Sequence, residues 1–312
     1  MRIFVAGAAG VIGRYLIPAL IADGHQVTGS TRSAGNAEKI AGLGATPVIV
    51  DGLDRQGVID AVKAAAPEVV IHEMTALASL KDFRHFDKEF AVTNELRTRG
   101  TDYLLEAAQQ AGATRFIAQS YTNWPNERTG GPVKTEDDPL DPNPPANARE
   151  SMAAIEHVER VVKDNGGIAL RYGGLYGHGA SEDMLDPVAR RRFQIVGGGT
   201  GLWSFCEVTD AAAATAAAVS RGEPGIYNIV DDDPAPVSEW LPYLARLLGA
   251  KPPRRLPAWL ARPLAGEFAV ATMTEIRGSS NAKAKRELGW APRYASWREG
   301  FPEWVKSIST AG

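Results

Sequence analysis

The sequence predicts an α/β fold: a doubly wound parallel sheet with a smaller C-terminal region beside it. The first observation is the N-terminus, where the short apolar run Met1 to Ala6 meets Gly7-Ala8-Ala9-Gly10-Val11-Ile12-Gly13. The segment after it carries Ile12, Tyr15, Leu16, Ala19 and Leu20 at helical spacing, so the order is strand, glycine turn, helix. The second is that short apolar runs and helical patterns go on alternating as far as Ser120, the order of parallel βαβ units. The third is Val69-Val70-Ile71, a run with no polar interruption, as in a strand covered on both faces.

Each glycine of the first turn has a mechanical reason. Gly7 lets the chain leave the strand sharply, Gly10 leaves room for a pyrophosphate against the backbone, and Gly13 lets the helix pack close. The backbone of Ala9, Val11 and Ile12 completes the turn, and the free N–H groups of the new helix face the phosphates. The motif therefore predicts a dinucleotide cofactor; an empty tight turn is the alternative.

The elements follow in order. His25 to Ser30 is the second strand, and its end reads Ser30-Thr31-Arg32-Ser33. An NAD site of this kind places an acid there for the ribose 2′-OH. Here none is present, and Arg32 offers a planar fork for a 2′-phosphate, so NADP is expected over NAD. A helix over 37–43, a strand over 46–50 and a helix over 56–66 capped by Asp54 come next. His72 reads as a hydrogen-bonded strand end. One long helical pattern covers 90–112, a fifth strand covers 115–120, and 126–147 is a loop rich in Pro, Gly, Asp and Asn. Later elements are a strand at 168–171, a strand at 203–208, an alanine-rich helix over 211–219 capped by Thr209-Asp210, a strand at 225–230 and a helix over 237–248.

Composition narrows the function classes. The 312 residues are 44% hydrophobic and 23% charged with a net charge of −3, so no nucleic-acid or membrane surface is expected. The five His residues lack metal-ligand spacing, and no metal site is expected. Cys206 is the single cysteine, so no intrachain disulfide forms and a reducing, cytoplasmic setting is expected. No leader peptide is expected, because the first strand starts at Arg2, and no apolar run reaches the ~20 residues of a membrane span.

The G-x-x-G-x-x-G spacing resembles the extended and atypical short-chain dehydrogenase/reductase superfamily of NAD(P)-dependent epimerases, dehydratases and reductases. Tyr172-Gly173-Gly174-Leu175-Tyr176-Gly177 and the terminal Lys285-Arg286-Glu287-Leu288-Gly289-Trp290 resemble further family signatures, so the likeness runs along almost the whole chain. The resemblance implies a Rossmann-type domain over 1–177, to whose sheet the strand at 225–230 returns. It implies a substrate-binding region over 178–224 and 231–312. It implies that Asp51 and Leu53 hold the adenine edge, that Met74 and Thr75 line the cofactor, and that Asn94 and Gly100 lie on the flanking helix. Tyr172 and Gly173 are implied neighbours of the nicotinamide. Tyr176, Trp203 and Phe205 are expected on the substrate side. The implied partner is a small molecule; a homodimer is compatible with this reading.

The chain departs from the family at its catalytic unit. Family members use Tyr-x-x-x-Lys, the lysine lowering the tyrosine pKa from ~10. No such spacing occurs here. Matching Ser151 and Glu156 to the family helix puts Ala148 in the tyrosine place and Met152 in the lysine place. Tyr121, just beyond the fifth strand, is the candidate acid, with Ser120 and Thr122 as alternatives and Arg149 as the charge that steadies a developing oxyanion. The reading is an NADP-dependent oxidoreductase acting on a carbonyl or enone. The alternatives are a nucleotide-sugar epimerase/dehydratase using Arg190, Arg191 and Arg192, and a non-catalytic NADP-sensing regulator.

Overall fold

A computed structural model describes residues 1–77 and 82–309. Seven strands form one parallel sheet: β1 (Arg2–Ala6), β2 (Gln26–Thr31), β3 (Thr46–Ile49), β4 (Val69–His72), β5 (Arg115–Tyr121), β6 (Ile168–Tyr172) and β7 (Gly225–Ile229). Their order is β7-β6-β5-β4-β1-β2-β3. The sheet is wound outward in both directions from β1, with Ile3 in register with Val27 on one side and Val69 on the other. This arrangement leaves a crevice beyond the carboxyl ends of β1 and β4, where the winding reverses.

The apolar strand sequences follow from cover on both faces. Ile3 and Val5 pack with Leu16, Ile17 and Ile71 on one side, whereas Phe4 and Ala6 pack with Val70, Phe116 and Leu104 on the other. Successive strand side chains point to opposite faces, so a sheet covered twice requires apolar residues at consecutive positions. Helix α1 (Gly13–Ala22) packs so close to the strand that a β-carbon on Gly13 would lie 2.1 Å from the Ala8 carbonyl oxygen. Gly7 has φ +84°, and a β-carbon there would meet the Glu73 carbonyl at 2.7 Å.

Several element boundaries differ from expectation. Helix α2 (Ala34–Gly42) starts earlier, because Ser33 caps it by accepting from the Asn36 N–H. Helix α3 (Arg55–Ala65) is capped by Asp54, as expected. The helical pattern over 90–112 is not one α-helix: Ala91–Glu95 is α, Leu96–Gly100 is a π segment, and α4 (Thr101–Ala111) resumes the α form. After α5 (Arg149–Asp164), the strand over 203–208 is split into Leu202–Trp203 and Phe205–Glu207. The alanine-rich helix α6 (Val208–Ala218) is capped by Glu207, whose carboxylate accepts from the Thr209 N–H at 2.7 Å; Thr209 and Asp210 lie inside its first turn.

A separate aromatic core holds the C-terminal part together. Trp240, Trp297, Phe301 and Trp304 are buried there with Tyr176 and Phe205. A further small cluster joins Phe86, Phe90, Ala148 and Phe268, with Trp124 packed against it. Among the described residues, no helix is long and apolar enough to cross a membrane, and no cluster of His, Cys, Asp or Glu could hold a metal.

Candidate active site

A cleft of about 600 Å³ lies beyond the carboxyl ends of β1, β4, β5 and β6. One end of it is backbone. Gly10, Val11, Ile12 and Gly13 line it, and no side chain caps the start of α1. The Arg14 and Tyr15 N–H groups bond the Gly10 and Ile12 carbonyls, which leaves the N–H groups of Val11, Ile12 and Gly13 for an anion that the helix dipole also favours. A dinucleotide pyrophosphate fits this uncapped, glycine-lined turn.

Beyond β4, Glu73 and Thr75 line the cleft, whereas His72 and Met74 turn to the other side. The alternation of an extended chain explains why Met74, expected on the cofactor, packs into the core beside Leu96 and Gly52 instead. His72 is a hydrogen-bonded strand end. Its Nδ1 accepts from the Met74 N–H at 3.1 Å, and its Nε2 donates to the Leu96 carbonyl at 3.2 Å. Burial lowers its pKa to about 4, so the ring is neutral. Glu73 is pushed the opposite way, to about 8, again by burial. The Tyr172 hydroxyl donates to Glu73 Oε1 at 2.8 Å, and Oε2 has no partner.

At the carboxyl end of β5, Gln119, Ser120 and Tyr121 line the cleft. The Ser120 hydroxyl donates to Glu159 Oε1 at 2.6 Å, and the same carboxylate takes Nε and Nη2 of Arg171, each at 2.7 Å. Ser120 is thus committed to a buried ion pair. Tyr121 keeps its proton: burial raises its pKa, and its oxygen accepts from Asn123 at 3.4 Å. Thr122 turns away and bonds Ser279 at 2.6 Å, outside the cleft.

The expected residues divide accordingly. The cleft brings together Gly10, Val11, Ile12, Gly13, Thr75, Ser120, Tyr121, Tyr172 and Trp203. Tyr172 is reached only through its body, since its hydroxyl is tied to Glu73 and Thr215. Tyr176 and Phe205 are 1% and 2% exposed in the aromatic core and do not reach the cleft. Gly173 lies under the neighbouring strand, where a β-carbon would meet the Ser204 carbonyl at 2.7 Å. Asn94 donates to Ser151 at 3.0 Å and ties two helices together rather than facing the cleft. Arg149 is exposed at the start of α5, with no ion-pair partner among the described residues and no place in the cleft wall. Arg32 is exposed directly after β2; Asp51 and Leu53 follow β3, where Asp51 accepts from the Leu53 N–H at 3.0 Å. Arg190 bonds Asp186 and Arg191 bonds the Pro252 carbonyl, and none of the three consecutive arginines lines the cleft.

Among the lining residues that were not anticipated are Arg97, Glu73, Gln119, the acids Glu182 and Asp183, and an aromatic wall of Phe86, Phe90, Trp124 and Phe268. Arg97 carried a readable signal. It falls on the helix face that Thr101, Leu104, Leu105 and Ala108 bury, where a charge is out of place. The aromatic wall had none, because its members come from distant segments.

A doubly wound parallel sheet with an uncapped glycine turn at its switch point defines a dinucleotide-binding protein. The chain belongs to the NAD dependent epimerase/dehydratase family, whose model matches residues 3–230. It is 44% identical to a Streptomyces 3-diazoavenalumate denitrifying reductase, over 96% of this chain and 99% of the other. It is 29% identical to a 4-hydroxy-2-methyl-3-oxo-4-farnesyl-3,4-dihydroquinoline-1-oxide ketoreductase of Stigmatella aurantiaca, covering 94% and 92% of the two chains. Its fold matches the Thermus thermophilus UDP-glucose 4-epimerase complex with NAD at a TM-score of 0.76, with 24% identity and all of both chains covered. The protein is an NAD(P)-dependent enzyme of the reductase/epimerase type.

Proposed function

We propose that the protein is an NADP(H)-dependent reductase that replaces the diazo group of a small aromatic compound by hydrogen. The observation that carries this reading is the filling of the tyrosine and lysine places by Ala148 and Met152, both buried and apolar. Reduction of a carbonyl takes up a proton at oxygen and calls for an acid. Replacement of a diazonium group by hydride, with loss of N2, takes up none, so a site without that pair suffices. The named activity of the 44%-identical relative supports the same choice. The glycine turn with Ala9, Val11 and Ile12 would hold the pyrophosphate, Asp51 and Leu53 the adenine edge, and Arg32 the 2′-phosphate that separates NADP from NAD. When bound, the nicotinamide supplies the hydride. The chain's own part is to hold the electrophile against it and to keep water out with the aromatic wall.

The test is NADPH oxidation with an ortho-hydroxy arenediazonium probe, read together with N2 release and deuterium transfer from deuterated NADPH to the ring carbon. Equal NADPH loss and N2 gain, with the label on the ring, is the expected result. Turnover of ketones or enones with none of the diazonium probe would overturn it. Carbonyl or enone reduction is the second reading, because the Tyr121 hydroxyl proton is uncommitted in the cleft. In that case Tyr121→Phe costs roughly 10²–10⁴ in rate; in the diazo reading it leaves the rate nearly unchanged.

A further inference from the structure

We propose that Arg97 is the anchor for a carboxylate on the substrate, and that the cleft accepts a flat, conjugated aromatic acid. This rests on the reductase reading and names the substrate class of that same cleft. Arg97 is 4% exposed, yet its side chain makes no hydrogen bond to any described residue, and its Nε and Nη1 are covered and unmatched. Burial lowers its pKa only to about 10, so it stays charged at neutral pH. A buried charge without a hydrogen-bond partner carries a desolvation cost that the chain does not repay in full.

Among the described residues no carboxylate bonds Arg97, although the charge of Glu159 is felt there. The Glu159 carboxylate is spent on Ser120 and Arg171. Glu73 is neutral at pH 7 and bonded to Tyr172. A cation that lines a cleft and bonds no carboxylate among the described residues is open to a charge arriving from outside. The backbone around it is also unusual, since Arg97 sits in the π segment Leu96–Gly100, a distortion that often marks functional sites.

Position and surroundings select the kind of anion. Arg97 lies by Tyr121 at the end of β5, and the glycine turn that receives phosphate lies at the end of β1, with β4 between them. The walls near Arg97 are aromatic. Phe86 and Phe268 stack at 3.8 Å, Trp124 stands edge-on to Phe86 at 5.3 Å, and Tyr121 is 5.6 Å from Trp124. Aromatic rings and the Arg97 guanidinium thus line one cleft, and a planar guanidinium matches a carboxylate fork.

The test is calorimetric titration of the full-length protein, with and without saturating NADP, using cinnamate and cinnamamide as probes. Wild type should bind the acid at least about tenfold more tightly than the amide. Arg97→Met should bring the acid down to the amide's affinity while leaving the amide and NADP affinities within about twofold. Arg97→Lys should keep part of the preference. Equal binding of acid and amide by wild type, or a preference that survives Arg97→Met, overturns the proposal. So does loss of NADP affinity in Arg97→Met, which would make Arg97 a cofactor anchor. If Arg97→Met does not fold, the wild-type comparison and Arg97→Lys still decide. Because every readout is binding, an acid preference found beside failure of the diazonium probe to turn over would sink the reductase reading and leave the anchor standing.

Discussion

Two buried arginines flank the end of β5, and the protein treats them in opposite ways. Arg171 rises from the adjacent strand β6 into a fork-to-fork pair with Glu159, to which Ser120 adds a third bond. Arg97 comes from the helix side, is as deeply buried, and has no hydrogen-bond partner for its side chain among the described residues. Both pay the desolvation of a guanidinium, but only one recovers it within the chain. The first is therefore a structural clamp that holds the floor of the cleft, and the second is part of what the cleft is for.

The largest expected effect is on the clamp. Glu159→Leu strands the Arg171 charge and should cost about 3–5 kcal/mol of unfolding free energy, read by denaturant titration. A loss under about 1 kcal/mol would mean that water reaches Arg171, and the contrast would disappear. A third arginine extends the comparison to the surface. Arg32 is exposed and unpaired among the described residues, so Arg32→Ala should leave stability alone and weaken NADPH binding by about 1.5–3 kcal/mol, with NADH untouched. Equal losses for both cofactors would remove the 2′-phosphate role.

Glu73 tests the acidic side of the same cleft. Between its ordinary 4.5 and about 8, the unfolded chain has released this proton and the native chain has kept it. Native stability therefore falls as pH rises through that window. Glu73→Gln should flatten the decline by at most about 1.4 kcal/mol per pH unit, measured as melting temperature against pH. Asp231, also raised to about 8 by burial, keeps part of the slope in the variant. An unchanged slope would show Glu73 to be ionised in the native protein. The smallest effect is expected from Arg97→Met. Removing an unpaired buried charge should leave apo stability unchanged or raise it by about 1 kcal/mol. A loss of more than about 2 kcal/mol would make Arg97 structural after all.

The parts legible in the sequence were those written in consecutive residues. The glycine turn, the doubly covered strands and the Asp54 cap depend on local backbone geometry and on side chains a few positions apart. Within one extended segment, sequence alone did not decide which residues face the cleft: Glu73 and Thr75 do and Met74 does not, because strand phase is set by the partner strands. The same holds at β5, where Tyr121 faces the cleft and Thr122 turns to Ser279.

By itself, then, the sequence determined the fold class and its strand–glycine turn–helix opening, each a matter of residue type at short spacing. The tertiary structure alone decided that Tyr176 and Phe205 belong to the C-terminal core and that Arg149 stands outside the cleft. It also decided that Phe86, Trp124 and Phe268 pack together in the cleft wall, and that Arg97 has no hydrogen-bond partner among the described residues. Those facts concern distances between segments far apart in the chain, and whether a charge is paired depends on every element packed around it.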